Sequence, residues 1–142
     1  GMENATPADF NNWRAGAHSD FGCLTLLHQR AGEGGLQVCP GKDVDSGAWT
    51  DVEPATGYVT CNIGDMLMRW SDDKLHSTLH RVRMPKPVEY LGERLSLPFF
   101  CQANRDAIIQ GPDKKYAPIS AQNYLLERLE ANFAALQKAK PS

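Results

Sequence analysis

Two places in this sequence carry side chains that can hold a metal ion between them: His18 with Asp20, and a histidine far downstream. On an extended strand residues i and i+2 share a face, so a strand through Ala17–Phe21 sets one imidazole beside one carboxylate. The second imidazole comes from His76 or His80, which lie four apart and share a face on either a strand or a helix; spacing does not choose between them. Two imidazoles and one carboxylate on one side of an ion leave the opposite coordination positions open. Such ligands bind only with the imidazoles neutral and the carboxylate ionised, so acidification through about 6.5 is expected to release the metal. Arg94 and Ser96 repeat the i, i+2 spacing and pair a planar guanidinium with a hydroxyl, a set suited to bidentate capture of a carboxylate. With Leu95 and Leu97 on the other face, Arg94, Ser96, Pro98 and Phe100 are expected on one side of their strand.

The elements that must position these groups are mostly strands. His18–His28, Leu36–Val38, Trp49–Val52, Tyr58–Ile63, Leu75–Val82 and Arg94–Gln102 read as short β-branched, aromatic or alternating runs. Turn residues separate them, notably Gly34-Gly35, the 40–47 loop and Gly64-Asp65. Periodicity leaves Met66–Trp70 open between strand and helical turn. Many short strands with turns between them indicate a sandwich or barrel. The period then changes: Ser120 caps a predicted helix in which Leu125, Leu129, Phe133 and Leu136 recur at helical spacing, ending near Lys138 ahead of Pro141. That stripe is a packing face, for the chain's own barrel or for a second chain.

At 142 residues, 42% hydrophobic and 23% charged, the chain suits one domain with a sizeable core. A formal net charge of −2 argues against a general affinity for nucleic acid or anionic membranes. No apolar run approaches the ~20 residues of a spanning helix. Cys23, Cys39, Cys61 and Cys101 form no CxxC pair and are expected reduced, which favours the cytoplasm. Gly1-Met2 has the look of a tag-cleavage scar.

Taken in order, His18–Gly22, Leu24–Gln29, Gly35–Val38, Trp49–Pro54, Asn62–Trp70, Ser77–Val82 and Arg94–Phe100 resemble the catalytic region of the 2-oxoglutarate/Fe(II)-dependent dioxygenases, in the isopenicillin N synthase-like group. The resemblance runs from about Arg14 to Asn104, and Lys115–Ile119 with the following helix resembles the group's C-terminal end. It implies a mainly β fold, a double-stranded β-helix (jelly-roll) with a C-terminal α-helix: residues 1–13 a flexible start, 14–104 the oxygenase core, 105–142 a C-terminal loop and helix. It implies Fe(II) on His18, Asp20 and His80, with His76 at the pocket mouth or surface, and 2-oxoglutarate held by Arg94 and Ser96, with ascorbate as an accessory. The implied reaction is hydroxylation, desaturation or ring closure of a small organic substrate, with succinate and CO2 formed. A non-catalytic metal-binding module, or an oxygenase with another cosubstrate, is the alternative.

Several residues carry lesser expectations. Phe100 contacts the substrate or packs in the core. Asn62 and Asp65 are taken as structural, with Asn62 also able to line the cosubstrate pocket. His28 is read as a satisfied strand histidine, and Trp49, Trp70, Met66 and Met68 as core or partner-facing surface. The resemblance also disfavours a helix at Met66–Trp70, implying a mostly extended segment. In the family an upstream strand brings a tyrosine to the cosubstrate, and no tyrosine precedes His18 here. A jelly-roll short of one strand exposes an edge, so a homodimer covering that gap is expected.

Overall fold

The computed structural model describes residues 13–39 and 47–138. The start at 1–12, the loop at 40–46 and the side chain of Leu136 lie outside the described residues. Strand β1 (Trp13–His18) is followed by β2 (Leu24–Gln29), β3 (Leu36–Cys39), β4 (Thr50–Asp51) and β5 (Thr60–Ile63). Helix α1 (Asp65–Trp70) then leads into β6 (Leu79–Arg83), β7 (Ser96–Cys101), β8 (Ile108–Ile109), β9 (Ile119–Ser120) and helix α2 (Ala121–Lys138). One sheet has the order β1-β6-β3-β4, a second β5-β2-β7, and β8 pairs with β9; every pairing is antiparallel. This is a jelly-roll with a C-terminal helix.

The two larger sheets contribute alternate residues to a shared interior. Leu36 and Val38 of β3 and His80 and Val82 of β6 line it from one side, Thr25 and Leu27 of β2 and Ser96, Pro98 and Phe100 of β7 from the other. Period-2 alternation therefore gives the barrel an inner wall, as expected for β7, and that wall encloses a cavity. A buried apolar cluster lies elsewhere: Met66, Ile109, Ala121 and Tyr124 meet where α1, β8 and α2 pack, with Trp70, Ile119 and Leu125 around them.

Two expectations about local structure are corrected. The run after His18 is not one strand: β1 ends at His18, the chain bends at 21–23, and β2 starts at Leu24. The Met66–Trp70 segment is helical, not extended. Both have one cause. The Gly64 amide donates to Cys23 O (2.9 Å), Asp65 N to Asp20 O (2.7 Å) and Met66 N to Gly22 O (3.1 Å). The bend thus supplies the acceptors that the first amides of a helix lack within the helix itself. The approach is so close that a Cβ on Gly64 would collide with the carbonyl oxygen of Gly22.

Ser120 caps α2 as expected, its Oγ accepting from Asn123 N at 3.2 Å. The face that packs is Ala121, Tyr124 and Leu125, whereas Leu129 and Phe133 of the predicted stripe are exposed, at 43% and 63%. The Arg81 guanidinium lies over the Trp13 ring at 4.1 Å and over the Trp49 ring at 3.8 Å, so Trp49 is a cation–π partner; Met66 is a core residue. Among the described residues no helix is long and apolar enough to cross a membrane.

Candidate metal and cosubstrate site

His18 closes β1 and His80 lies in β6, directly opposite it in the ladder. Irregularities in register between Trp13 and Ala15 and between Ala15 and His18 set that pairing. The rings lie 4.3 Å apart, centroid to centroid. His18 Nδ1 is 2.7 Å from Gly16 O and His80 Nδ1 is 3.0 Å from Thr78 O. A carbonyl oxygen only accepts, so each Nδ1 carries the proton and each Nε2 keeps its lone pair for a metal.

Asp20 reaches the same point from the bend, not from the strand: it lies past the end of β1, so shared strand parity is not what aligns it with His18. The bend is tied to α1 at the Asp20 carbonyl and through Ser19 Oγ, which donates to Asp65 Oδ2 at 3.1 Å. Asp20 Oδ2 accepts from Thr25 Oγ1 (2.5 Å) and Asn62 Nδ2 (2.8 Å), which leaves Oδ1 facing His80 Nε2 at 3.7 Å. Burial opposes ionisation of this carboxyl, but the Asn62 and Thr25 hydrogen bonds and the neighbouring imidazoles outweigh it and hold Asp20 below the usual carboxylate range. Burial, and the neighbouring His80, likewise lower His18 from its ordinary value, against the Gly16 contact, which favours the proton. One donor atom from each of His18, Asp20 and His80 lies within 4.8 Å of the others. Neutral imidazoles and an ionised carboxylate are the donor states a divalent cation requires, so these residues fit Fe(II) and could equally hold a neighbouring first-row ion.

Arg94 precedes β7, and Ser96 opens it. The guanidinium donates from Nη1 to Ser96 Oγ (3.0 Å), from Nη2 to Gln29 Oε1 (2.6 Å) and from Nε to Glu33 O (3.1 Å). All of these acceptors are neutral, so the group is held without being neutralised by them, and among the described residues its remaining N–H groups meet no acceptor and can serve an anion. Burial, and after it repulsion from Arg14, lower the proton affinity of Arg94, with attraction to Glu33 opposing them. Arg94, Ser96, His18, Asp20, His80, Asn62 and Phe100 all border one cavity of about 460 Å3.

The remaining expectations sort themselves by position. His76 is exposed and lies outside the triad, and His28 is a strand residue, exposed on β2 and likewise outside the triad. Asn62 is more than a loop tie, since it both borders the cavity and fixes Asp20; Asp65 is structural, its carboxylate taking Ser19 and Arg128. Sequence reasoning missed Thr25 and Gln29. Their signal was available: with Leu27 they form the alternate set on β2, so polar residues at 25 and 29 had to find partners inside.

Residues 4–103 match the model of the 2OG-Fe(II) oxygenase superfamily. The chain is 40% identical over 117 residues to the 2-oxoglutarate-Fe(II) type oxidoreductase hxnY of Emericella nidulans, covering 76% of this chain and 31% of that protein. It is 35% identical over 127 residues to a homoarginine-6-hydroxylase of Oryza sativa subsp. japonica, covering 83% of this chain and 36% of that one. A full-length Neurospora crassa protein, solved in complex with alpha-KG and thymine, superposes with a TM-score of 0.75 at 37% identity, over 89% of this chain and 39% of that one. A jelly-roll with a 2-His-1-carboxylate cluster defines a non-haem metal protein. The chain belongs to the 2OG-Fe(II) oxygenase superfamily, and it spans about a third of the length of the curated relatives it matches.

Proposed function

We propose that this chain carries the catalytic region of an Fe(II)- and 2-oxoglutarate-dependent oxygenase acting on a small organic molecule, with residues 14–104 as the oxygenase core. The observation that carries this reading is the meeting of two independent features in one cavity: the His18, Asp20 and His80 donors, and the un-neutralised Arg94 guanidinium with Ser96. In this reading Nε2 of both histidines and Oδ1 of Asp20 would hold the metal. Arg94 and Ser96 take the distal carboxylate of 2-oxoglutarate and orient its keto-acid end toward the ion. Thr25 and Asn62 hold Asp20 ionised and aimed, and Gln29 with the Glu33 carbonyl hold Arg94. Leu27, Leu36, Val38 and Val82 exclude water from the space between. Metal and cosubstrate, when bound, would supply the oxidising chemistry with O2 as the co-reactant: its four-electron reduction balances the decarboxylation of 2-oxoglutarate to succinate and CO2 and the two-electron oxidation of the substrate by hydroxylation, desaturation or ring closure.

The test is 2-oxoglutarate-dependent succinate formation by the Fe(II)-loaded chain, with Asp20→Ala beside it. Succinate formed by the wild type and abolished in the variant supports the reading. A chain that binds iron yet gives no succinate with any substrate in a broad screen contradicts catalysis and leaves a metal-binding module.

We also infer a homodimer in the cytoplasm. The edge strand β7 turns Leu97 (65% exposed) and Phe99 (61%) outward, and an apolar edge of that kind favours pairing with a second copy. Cys23, Cys61 and Cys101 are free thiols, which favours a reducing compartment. A monomer in sedimentation at micromolar concentration overturns the first point, and export of the native protein the second.

A further inference from the structure

A second cavity, about 690 Å3, opens from His18 and Asp20 toward α2. Phe100, Leu125 and Leu129 give it apolar walls, and Gln102 and Asn132 border it without a hydrogen-bond partner among the described residues. Two cations also border it, and they differ in one respect. Arg128 is spent on Asp65, at 2.5 Å. Arg14 makes a single contact among the described residues, from Nη2 to the neutral carbonyl of Gly92 at 2.9 Å. Glu93 shares a further cavity with Arg14 and Arg94, and Glu33, Glu53 and Glu89 border a smaller one behind Arg14, yet none of them pairs with it. Among the described residues Arg14 is therefore a solvent-exposed arginine with no carboxylate partner, and it borders both the Arg94 cavity and the cleft along α2.

Resting on the reading of Arg94 as the cosubstrate anchor, we infer that Arg14 selects the primary substrate: a small molecule with an apolar body and a carboxylate. The distal carboxylate of 2-oxoglutarate is served by Arg94 and Ser96, deeper in the barrel. Arg14 is then left to the second ligand. Its guanidinium takes that ligand's carboxylate, the body lies on Phe100, Leu125 and Leu129, and the carbon to be oxidised faces His18 and Asp20. A charge-assisted hydrogen bond of this kind changes affinity by roughly tenfold or more.

The test uses matched aryl and alkyl carboxylates and their primary amides, beginning with 3-phenylpropanoate and 3-phenylpropanamide. Binding is followed by ligand-observed NMR on the chain loaded with Zn(II) and saturated with 2-oxoglutarate. The expected result is a preference of about tenfold for the carboxylates. Arg14→Ala and Arg14→Gln should both abolish that preference, while Arg14→Lys keeps part of it. The glutamine variant retains a donor for Gly92, so its agreement with alanine separates charge from folding. Equal binding of the acid and amide series, or an unchanged preference in Arg14→Gln, overturns the assignment of Arg14. If the Fe(II) chain shows no spectral band for chelated 2-oxoglutarate, the cosubstrate reading fails and the inference falls with it. A band that persists in the wild type and in Arg14→Gln keeps the two failures distinct.

Discussion

Replacing Asn62 by alanine removes one of the two hydrogen bonds that Asp20 Oδ2 accepts, at 2.8 Å, while leaving the three metal donors in place. The lost bond is to a charged acceptor, which is worth about 1.5–3 kcal/mol. Removing it has two consequences. The carboxyl becomes easier to protonate, because the Asn62 hydrogen bond is the foremost interaction holding it low against burial. It also gains freedom to turn Oδ1 away from the imidazoles. Outer-shell partners of this kind typically change metal affinity by 10–100-fold, so Asn62→Ala should weaken Fe(II) or Co(II) binding by roughly tenfold or more. Competition against a chromophoric chelator under anaerobic conditions reads this directly. Thr25→Val, which removes the other bond at 2.5 Å, should act alike, and the double variant should lose more than either. If Asn62→Ala bound metal within twofold of the wild type, the carboxylate would not depend on its hydrogen bonds for aim, and the positioning argument would fail.

Three further perturbations test other joints of the structure. Gln29→Ala frees one arm of Arg94 and should raise the dissociation constant for 2-oxoglutarate about fivefold, roughly 1 kcal/mol, with metal affinity unchanged; a change in metal affinity instead would place Gln29 in the wrong half of the site. Gly64→Ala drives a methyl into the Gly22 carbonyl and should cost about 1–3 kcal/mol in unfolding while weakening metal binding, because the same bend carries Asp20. Tyr124 is pushed up to about 12 by burial in the α1–α2 core, so its neutral form is the one the fold prefers. The stability this confers is fully present below the ordinary tyrosine value near 10 and is lost as pH climbs through 12, by up to about 3 kcal/mol. Alkaline unfolding should therefore lose its steepest part in Tyr124→Phe, and an unchanged pH profile would count against the burial of the hydroxyl.

The chemistry of the site was legible before any coordinates because it rests on residue type and short spacing. His18, Asp20, Arg94 and Ser96 declare themselves, and the alternation of β7 places Arg94, Ser96, Pro98 and Phe100 on one wall. What sequence alone could not supply was set by contacts between distant segments. Spacing left His76 and His80 equivalent and the family resemblance favoured His80; the pairing of β1 with β6 is what brings that residue opposite His18. Helix α1 exists because carbonyls from the Asp20–Cys23 bend accept its first amides, a contact no local pattern records. The packing face of α2 turned on Tyr124 and Ala121 rather than on Leu129 and Phe133, because the core it meets is Met66 and Ile109 from far along the chain.

We read Arg94 and the His18–Asp20–His80 cluster as one site for one dianion and one metal. This pairing is tested most directly by titrating 2-oxoglutarate anaerobically into the Fe(II)-loaded chain and following the visible charge-transfer band of a chelated keto acid, with Arg94→Ala alongside. The band should saturate in the wild type and require much higher 2-oxoglutarate in the variant. Iron bound with no band, or a band with the same titration midpoint in both proteins, would contradict a single shared site.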